Sequence, residues 1–298
     1  MNISIYEVGP RDGLQALKQI VPTATKKELI ASLYAAGLQS IEEVSFAHPR
    51  LMPQMADAEE VFDKGSALVM NKRGYDRAVA AGVQKFNIVF SPCETFNMNN
   101  MGKTRSEIVL MYKTFMDKVP KKNVRVYISM AFGSPDSGTP SLITLISCIR
   151  DAKMFGDTVV FADTVGIGTE KDIAELAELA KNEGIKAALH LHHNGSEERA
   201  LQLVRAALMN GIREIDSSIG GLGGCPFAKN SGANLSTETL VSHLHGWGFT
   251  TGVDEIALKA ALQIAQQIKL KETGHGKEAW TGETWLDLNL PSASRPAI

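Results

Sequence analysis

The sequence lacks the features that would assign this protein to a membrane, to nucleic acid or to an extracellular disulfide-stabilised class. Its net charge of −2 leaves no excess of basic residues for binding nucleic acid. No apolar run reaches the roughly 18 residues that a membrane-spanning helix needs, and the first residues lack the basic and apolar regions of a signal peptide. The three cysteines, Cys93, Cys148 and Cys225, are scattered and odd in number, which argues against a disulfide framework. We therefore expect a cytoplasmic protein with no membrane or nucleic-acid partner.

A linker between domains is also absent. No stretch rich in proline, serine and glycine divides the 298 residues, and a hydrophobic content of 44% provides ample material for one core. Helical patterns return late in the chain, at about 236–247 and 253–271. We expect a single domain over residues 1–298, with its main body at about 1–250 and a helical region and tail at about 251–298.

One unit recurs along the chain: the end of a helix, a glycine, and then a short apolar run. Segments such as AAGLQSIEEVSF, AAGVQKFNIVF and MFGDTVVFAD contain it, and its five glycines are Gly37, Gly82, Gly156, Gly184 and Gly211. A glycine directly after a helix accepts the left-handed backbone conformation that closes the helix. The last three glycines are 28 and 27 residues apart (184 − 156 and 211 − 184), the length of a strand plus a crossover helix. The pattern predicts a repeating βα architecture.

Eight strands can be counted in this pattern. They lie near residues 3–8, 39–46, 66–70, 84–90, 123–129, 158–163, 186–192 and 213–217. Eight strand–helix units favour an α/β fold of the (β/α)8 or TIM-barrel type, with extra C-terminal helices, over an open doubly wound sheet. We also predict a capping box of Thr25 with Glu28 and a helix cap at Thr169.

Polar and ionisable side chains accumulate where these predicted strands end. The active site of such a barrel lies at the carboxyl ends of its strands. The residues found there are, in chain order, Arg11, Asp12, Glu42, Ser45, Arg125, Ser129, Asp163, His190, His192 and Asp216. This convergence predicts an active site, although the segment VGPRDGLQ taken alone is also typical of a polar β-turn.

The segment ALHLHHNG predicts a metal site. His190 and His192 are two residues apart on a strand and therefore face the same way. Two neutral imidazoles with a carboxylate from another strand form a metal site, and Asp12 is the carboxylate we expect. The alternative is a pair of surface histidines at the end of a strand. His193 points to the opposite face, where we expect it to be packed or solvated.

The glycine-rich segment GGLGGCPFAK does not fit a nucleotide-binding loop. Pro226 stands where the third glycine of G-x-G-x-x-G belongs, and the segment follows the last strand instead of the first. It presents Cys225, whose thiol would serve as a proton donor or base. The alternative is a buried cysteine with a structural role.

Taken together, these motifs resemble a known family. VGPRDGLQ, PQMADAEEVF, ADTVGIGT, the His-x-His pair and GGLGGCPFAK occur in the order found in 3-hydroxy-3-methylglutaryl-CoA (HMG-CoA) lyases, and the likeness extends to about residue 255. The resemblance implies a (β/α)8 enzyme that uses a divalent cation, Mg²⁺ or Mn²⁺, and acts on an acyl-CoA. It implies a retro-Claisen cleavage of HMG-CoA to acetyl-CoA and acetoacetate. The oligomeric state is left open, and a homodimer is the state we expect.

The resemblance also implies a role for individual residues around the metal. It makes Asp12, His190, His192 and Asn234 the ligands of the cation. It makes Arg11 the group that stabilises enolate charge on the thioester carbonyl. Arg11 and Asp12 would then be neighbours in the sequence because one contacts the thioester and the other contacts the metal.

Further roles follow from the same likeness. Cys225 corresponds to a cysteine that takes part in proton transfer, and Asp163 to an aspartate needed for catalysis. Asp163 and His190 are the candidates for relaying the proton of the substrate hydroxyl, and Glu42 supports the site. The residues expected to contact the substrate, besides Arg11, are Lys18, Ser45 and Arg125.

The sequence departs from the family pattern at four positions, Ala162, His193, Asn194 and Ala233. Because the implied metal ligands are all present, we expect the chemistry to be kept while the acyl pocket differs. A lyase for citramalyl-CoA or for a longer 3-hydroxy-3-alkylglutaryl-CoA is therefore an alternative substrate assignment. Three further hypotheses compete with a lyase: a Claisen condensing synthase of the isopropylmalate or homocitrate type, a non-haem iron oxygenase and a non-catalytic acyl-CoA binder.

Overall fold

Eight parallel strands close into a barrel in the structure, a computed structural model that describes residues 1–224 and 232–273. The strands are β1 (Ser4–Glu7), β2 (Ser40–Ser45), β3 (Ser66–Leu68), β4 (Phe86–Phe90), β5 (Val124–Ile128), β6 (Thr158–Asp163), β7 (Lys186–His193) and β8 (Glu214–Ser217). Each strand pairs with the next in the chain, and β8 returns to β1, where Tyr6 lies opposite Asp216. The predicted TIM barrel is confirmed.

Helices surround the barrel between these strands. They are α1 (Thr23–Ala35), α2 (Ala58–Val61), α3 (Lys72–Ala80), α4 (Glu94–Met101), α5 (Arg105–Met116), α6 (Leu142–Lys153), α7 (Glu170–Glu183) and α8 (Glu197–Met209). Beyond β8 come a short strand β9 (Ala233–Asn234) and two helices, α9 (Thr237–Gly246) and α10 (Glu255–Thr273), as predicted for the C-terminal region. The α10 helix packs beside α1 and against the turn Ile219–Gly221 that follows β8.

The α7 helix illustrates how local sequence sets its ends. The Thr169 side chain accepts a hydrogen bond from the Asp172 backbone N–H, and Asp172 binds back to Thr169, so the predicted cap is confirmed as a capping box. Gly184 closes the helix with φ +66. The face between these ends buries Ile173 and Leu176 against the barrel.

Two local predictions are wrong. The capping box of Thr25 with Glu28 does not form, because α1 already begins at Thr23, after Pro22. Contacts with another element set this start: the Thr23 hydroxyl donates to Asp57 at 2.6 Å. Gly156 does not adopt the left-handed conformation predicted for it. A Cβ atom there would lie 2.4 Å from the Val124 carbonyl oxygen, so close packing explains the glycine.

The barrel interior is unusually polar. Branched apolar side chains generally fill this space, but here a buried Arg125 guanidinium stacks on the Tyr6 ring at 3.5 Å and forms ion pairs with Glu214 and Asp216. Beside it, Asn87 donates to Glu42 at 2.6 Å. These groups form a floor of hydrogen-bonded charges beneath the carboxyl ends of the strands.

Within the described ranges, no helix combines the length and apolar character needed to cross a membrane. Cys93 and Cys148 are buried free thiols. The expectation of one domain over residues 1–298 stays a prediction.

Candidate active site

The segment that follows β1 is a tight helical turn and not a β-turn. The backbone N–H groups of Arg11, Asp12 and Gly13 all point to the Val8 carbonyl oxygen, at 2.7 to 3.2 Å, and the turn spans Gly9–Gly13. It projects Arg11 and Asp12 together into the mouth of the barrel, where both line a cavity. Arg11 donates from Nη1 to Asp12 at 2.8 Å and from Nε to Glu42 at 2.6 Å. Glu42, fully buried on β2, therefore fixes the guanidinium from below.

Electrostatics keep this pair ionised. Burial alone would lower the pKa of Arg11, but the negative charges of Glu42 and Asp12 outweigh it and raise that pKa above the ordinary value. Burial alone would likewise raise the pKa of Asp12, but the positive charge of Arg11 and the two nearby histidines lower it. At neutral pH the mouth of the barrel holds a fixed cation beside a fixed anion.

His190 and His192 face the same way from β7, as predicted. Their Nε2 atoms lie 3.0 Å apart, and His190 Nε2 lies 3.9 Å from Asp12 Oδ2. One ligand atom from each of these three residues falls within 4.8 Å of the others. Burial and the neighbouring His190 lower the pKa of His192 to about 3, so its imidazole is neutral at pH 7, as a metal ligand must be. His193 faces away, with Nε2 3.9 Å from Glu197.

Asn234 reaches the same point through the short strand β9. This strand runs antiparallel to the end of β7 and places Asn234 opposite His192. The Asn234 amide nitrogen donates to Asp12 Oδ2 and to the Leu222 carbonyl oxygen, both at 2.9 Å. Its Oδ1 is buried and has no hydrogen-bond partner among the described residues. An unsatisfied buried oxygen needs an explanation, and a cation beside Asp12 would provide one.

The Arg-Asp-Gly segment and the glycine-rich segment pack directly against each other. A Cβ atom on Gly13 would lie 2.8 Å from the Leu222 side chain. Gly223 has φ +106, and a Cβ atom there would lie 2.6 Å from Asn234 Nδ2 and 3.0 Å from Gly13 Cα. Only glycines allow this approach, which holds Asn234 against Asp12. Cys225, predicted to transfer protons, lies outside the described residues.

A cavity lies at the carboxyl ends of the strands and opens to solvent. Five predicted residues line it: Arg11, Asp12, Ser45, His190 and His192. Ser129, noted on the same rim, lines it too. One side of the cavity is apolar, formed by Met52, Leu68, Met70, Val89 and Phe96.

Three predicted residues lie elsewhere. Arg125 sits at the start of β5, below the cavity, where Glu214 and Asp216 engage it, and this position does not support a contact with substrate. Asp163 ends β6, but its carboxylate turns away and accepts the backbone N–H groups of Ile167 and Gly168 at 2.9 and 2.8 Å. Burial raises the pKa of Asp163, against the effect of these bonds. Lys18 is exposed outside the cavity.

Sequence reasoning missed four polar residues in the cavity wall: Gln15, Asn100, Tyr127 and Thr164. Gln15 donates to Asp12 at 3.0 Å and follows it by three residues, a helical spacing that could have revealed it. Tyr127 lies two residues after Arg125 on the same inward face of β5, and alternation along a strand could have identified it. No pattern in the sequence identifies Asn100 or Thr164 as cavity residues.

Fold and site together define a class: a (β/α)8-barrel enzyme with a candidate divalent-cation site of two imidazoles, a carboxylate and an amide at the carboxyl ends of its strands. Comparison with known proteins makes the assignment specific. The HMGL-like family matches residues 2–266. The chain belongs to this family, whose related enzymes are carbon–carbon lyases.

Curated relatives cover most of the chain. It is 37% identical over 274 residues to the mitochondrial hydroxymethylglutaryl-CoA lyase of Arabidopsis thaliana. The alignment covers 87% of this chain and 58% of that protein. It is 34% identical over 277 residues to the hydroxymethylglutaryl-CoA lyase of Pseudomonas mevalonii, which covers 89% and 91%. Other relatives are named cytoplasmic.

A solved structure gives the same result. The HMG-CoA lyase from Acinetobacter baumannii, in complex with coenzyme A and 3-methylmalate, superposes with a TM-score of 0.83 at 29% sequence identity. The match covers 93% of this chain and 97% of that one.

Proposed function

We propose that this protein cleaves HMG-CoA to acetyl-CoA and acetoacetate, with Mg²⁺ or Mn²⁺ as its cation. The observation that carries the proposal is the cluster of Asp12, His190 and His192, with Arg11 bonded to Asp12, in the cavity of a chain related to HMG-CoA lyases. These relatives also favour a lyase over a condensing synthase, an oxygenase or a non-catalytic binder.

The proposed ligands of the cation are Asp12, His190, His192 and Asn234. Three of them offer atoms within 4.8 Å of one another, and the fourth has a buried oxygen with no partner among the described residues. Nitrogen and oxygen donors together suit Mg²⁺ or Mn²⁺ better than a thiolate-preferring metal. When bound, the cation would act as a Lewis acid on the hydroxyl and carboxylate oxygens of the substrate.

Arg11 is proposed to stabilise the enolate that forms when the carbon–carbon bond breaks. Arg11 is 6% exposed and lines the cavity, and Glu42 and Asp12 hold its guanidinium before any substrate binds. A donor fixed in a desolvated site needs no reorganisation as negative charge develops, and one such donor contributes about 3–4 kcal/mol in other enzymes. Glu42 is thus a positioning residue in this proposal.

Proton transfer is proposed to involve Cys225, which would protonate the carbon of the acetyl-CoA enolate. His190 is better placed as a ligand than as a proton relay, since its Nε2 faces Asp12 and His192 while its Nδ1 faces Asp216. Asp163 is a positioning residue in this proposal, because both its oxygens hold the turn after β6, next to Thr164 in the cavity wall.

The acyl-CoA is proposed to lie with its polar acyl group toward the histidines and its thioester toward Arg11. The apolar side of the cavity would then contact the hydrocarbon part of the substrate; its residues are Met52, Leu68, Met70, Val89 and Phe96. Ser45 lines the cavity and is retained as a substrate contact. Lys18 is exposed outside the cavity, which fits a contact with CoA phosphates better than with the acyl group. Arg125 lies below the cavity and is not retained as a substrate contact.

Substrate choice is tested by kcat/KM for HMG-CoA, citramalyl-CoA and a longer 3-hydroxy-3-alkylglutaryl-CoA. Ala162, one of the departures from the family pattern, lines the cavity. A single methylene in such a pocket changes discrimination by only about 1–3 kcal/mol. We expect HMG-CoA to be preferred. A preference for a longer acyl chain would change the substrate that we assign but not the proposed reaction. Cleavage of none of the three thioesters would refute the proposal.

The cellular location and the oligomeric state of the protein are also proposals. We propose a cytoplasmic location on the basis of the free thiols of Cys93 and Cys148, which are typical of a reducing compartment. The names of the relatives divide between mitochondrial and cytoplasmic enzymes. The homodimer expected from the sequence stays a prediction, which light scattering of the purified protein would measure.

A further inference from the structure

Asp216 lies beneath the proposed metal site and touches none of the cavity. It occupies β8, opposite His190 on β7, and its side chain is fully buried. Its Oδ2 lies 3.3 Å from His190 Nδ1 and accepts the Tyr127 hydroxyl at 2.7 Å. Its Oδ1 accepts Arg125 Nη2 at 2.5 Å. Both oxygens are therefore occupied by groups from neighbouring parts of the barrel interior.

We propose that Asp216 is a positioning residue that holds the proton of His190 on Nδ1 and so leaves the Nε2 lone pair free for the cation. This inference rests on the proposed metal site. A carboxylate can only accept hydrogen bonds, so the imidazole nitrogen facing it must carry the hydrogen. The other nitrogen, Nε2, is the one that faces Asp12 and His192.

Arg125 makes this arrangement rigid. This role differs from the contact with substrate that was predicted for Arg125. Its guanidinium is held between Glu214 and Asp216 and stacks on the Tyr6 ring. This clamp fixes which oxygen of Asp216 faces the histidine. His192 has no carboxylate at the corresponding position, and its Nδ1 is buried without a hydrogen-bond partner among the described residues. The carboxylate support is therefore confined to His190.

The clamp makes Asp216→Asn an informative change. Arg125 donates toward the Oδ1 position, so the new amide must place its oxygen there and its NH2 group at the Oδ2 position. That NH2 group would donate to His190 Nδ1 and force the hydrogen onto Nε2, the atom that should bind the metal. Side chains that orient metal-bound histidines typically contribute 10- to 100-fold to metal affinity.

The test measures Mn²⁺ binding by the loss of the free-ion EPR signal on titration of metal-free protein. We expect Asp216→Asn to bind Mn²⁺ 10- to 100-fold more weakly than wild type. Glu214→Gln is the matched control, because it removes the same charge from the other side of Arg125, and its affinity should stay within about threefold of wild type. Equal affinity of folded Asp216→Asn and wild type, or an equal loss in both variants, would overturn the proposal. A wild type that binds no Mn²⁺ would instead refute the metal site itself.

A second measurement needs only folded wild-type protein. Nitrogen-15 NMR of histidine-labelled, metal-free protein distinguishes the two tautomers, and the His190 signals are identified by their loss in His190→Gln. At a pH where the His190 imidazole is neutral, we expect its hydrogen on Nδ1 in wild type and on Nε2 in Asp216→Asn. A wild-type His190 with its hydrogen on Nε2 would overturn the proposal whatever the stability of the variant.

Discussion

Glu7 should make the stability of this protein fall as the pH rises toward neutrality. Its carboxylate is fully buried at the end of β1, where it accepts the backbone N–H groups of Gly9 and Ile219 and the Thr237 hydroxyl at 2.6–2.9 Å. Burial nevertheless raises its pKa from 4.5 to about 7. Between these two values the folded chain retains a proton that the unfolded chain has lost. The associated stability is thus complete below pH 4.5 and is lost as the pH rises through 7.

The size of the effect follows from the shift in pKa. The difference of 7 − 4.5 = 2.5 units, at about 1.36 kcal/mol per unit, amounts to about 3 kcal/mol of unfolding free energy. Glu7→Gln imitates the protonated side chain, with its NH2 group donating to the Thr237 hydroxyl. The Thr237 proton can then turn to Ser217, 2.8 Å away. We expect the variant to match wild type near pH 4.5 and to be more stable by up to about 3 kcal/mol at pH 8.

Urea unfolding between pH 4.5 and 8 measures this difference. The matched control is Glu28→Gln, a change at an exposed glutamate of α1 whose carboxylate meets water in both the folded and unfolded chain. Glu28→Gln should not show the gain in stability over wild type that Glu7→Gln shows at pH 8. A pH-independent difference for Glu7→Gln, or a wild type that gains on the variant as pH rises, would refute the reasoning.

Two further predictions concern the proposed chemistry. His192→Ala should weaken Mn²⁺ binding by more than 10-fold while changing the melting temperature little, since the residue borders a cavity at the end of β7. Metal titration measures the affinity, and a thermal melt measures the stability. A large loss of stability with unchanged affinity would count against a role for His192 as a ligand. Cys225→Ser should bind metal normally but lose roughly 10²- to 10⁴-fold in kcat, the range typical of a positioned acid or base. Steady-state kinetics measures kcat, and a value near that of wild type would refute a role for Cys225 in proton transfer.

The fold could be predicted because its signals are local and repeated. Five of the eight strands follow a helix end and a glycine, and the spacing of Gly156, Gly184 and Gly211 reflects the βα unit directly. His190 and His192 could be paired for a similar reason, since alternation along a strand is independent of the rest of the structure. Local start signals were less reliable: α1 begins at Thr23 because of its contact with Asp57, which no local pattern reveals.

The site was harder to predict because depth in the barrel is not visible in the sequence. Arg125 and Tyr127 are two residues apart on β5, yet one lies in the charged floor and the other in the cavity wall. Asp163 ends its strand as expected, but the backbone N–H groups of the following turn capture its carboxylate. Asn234 could be named only from the family resemblance, because β9 brings it to His192 through a pairing that no periodicity announces.

The most direct test of the central claim is the metal dependence of HMG-CoA cleavage, followed by mass spectrometry of the products. Protein freed of metal by chelation is incubated with HMG-CoA, with and without added Mn²⁺. The cluster of Asp12, His190 and His192 predicts acetyl-CoA and acetoacetate in equal amounts with Mn²⁺, and neither product without it. Full turnover by a preparation verified to be metal-free, or no cleavage in either condition, would contradict the account.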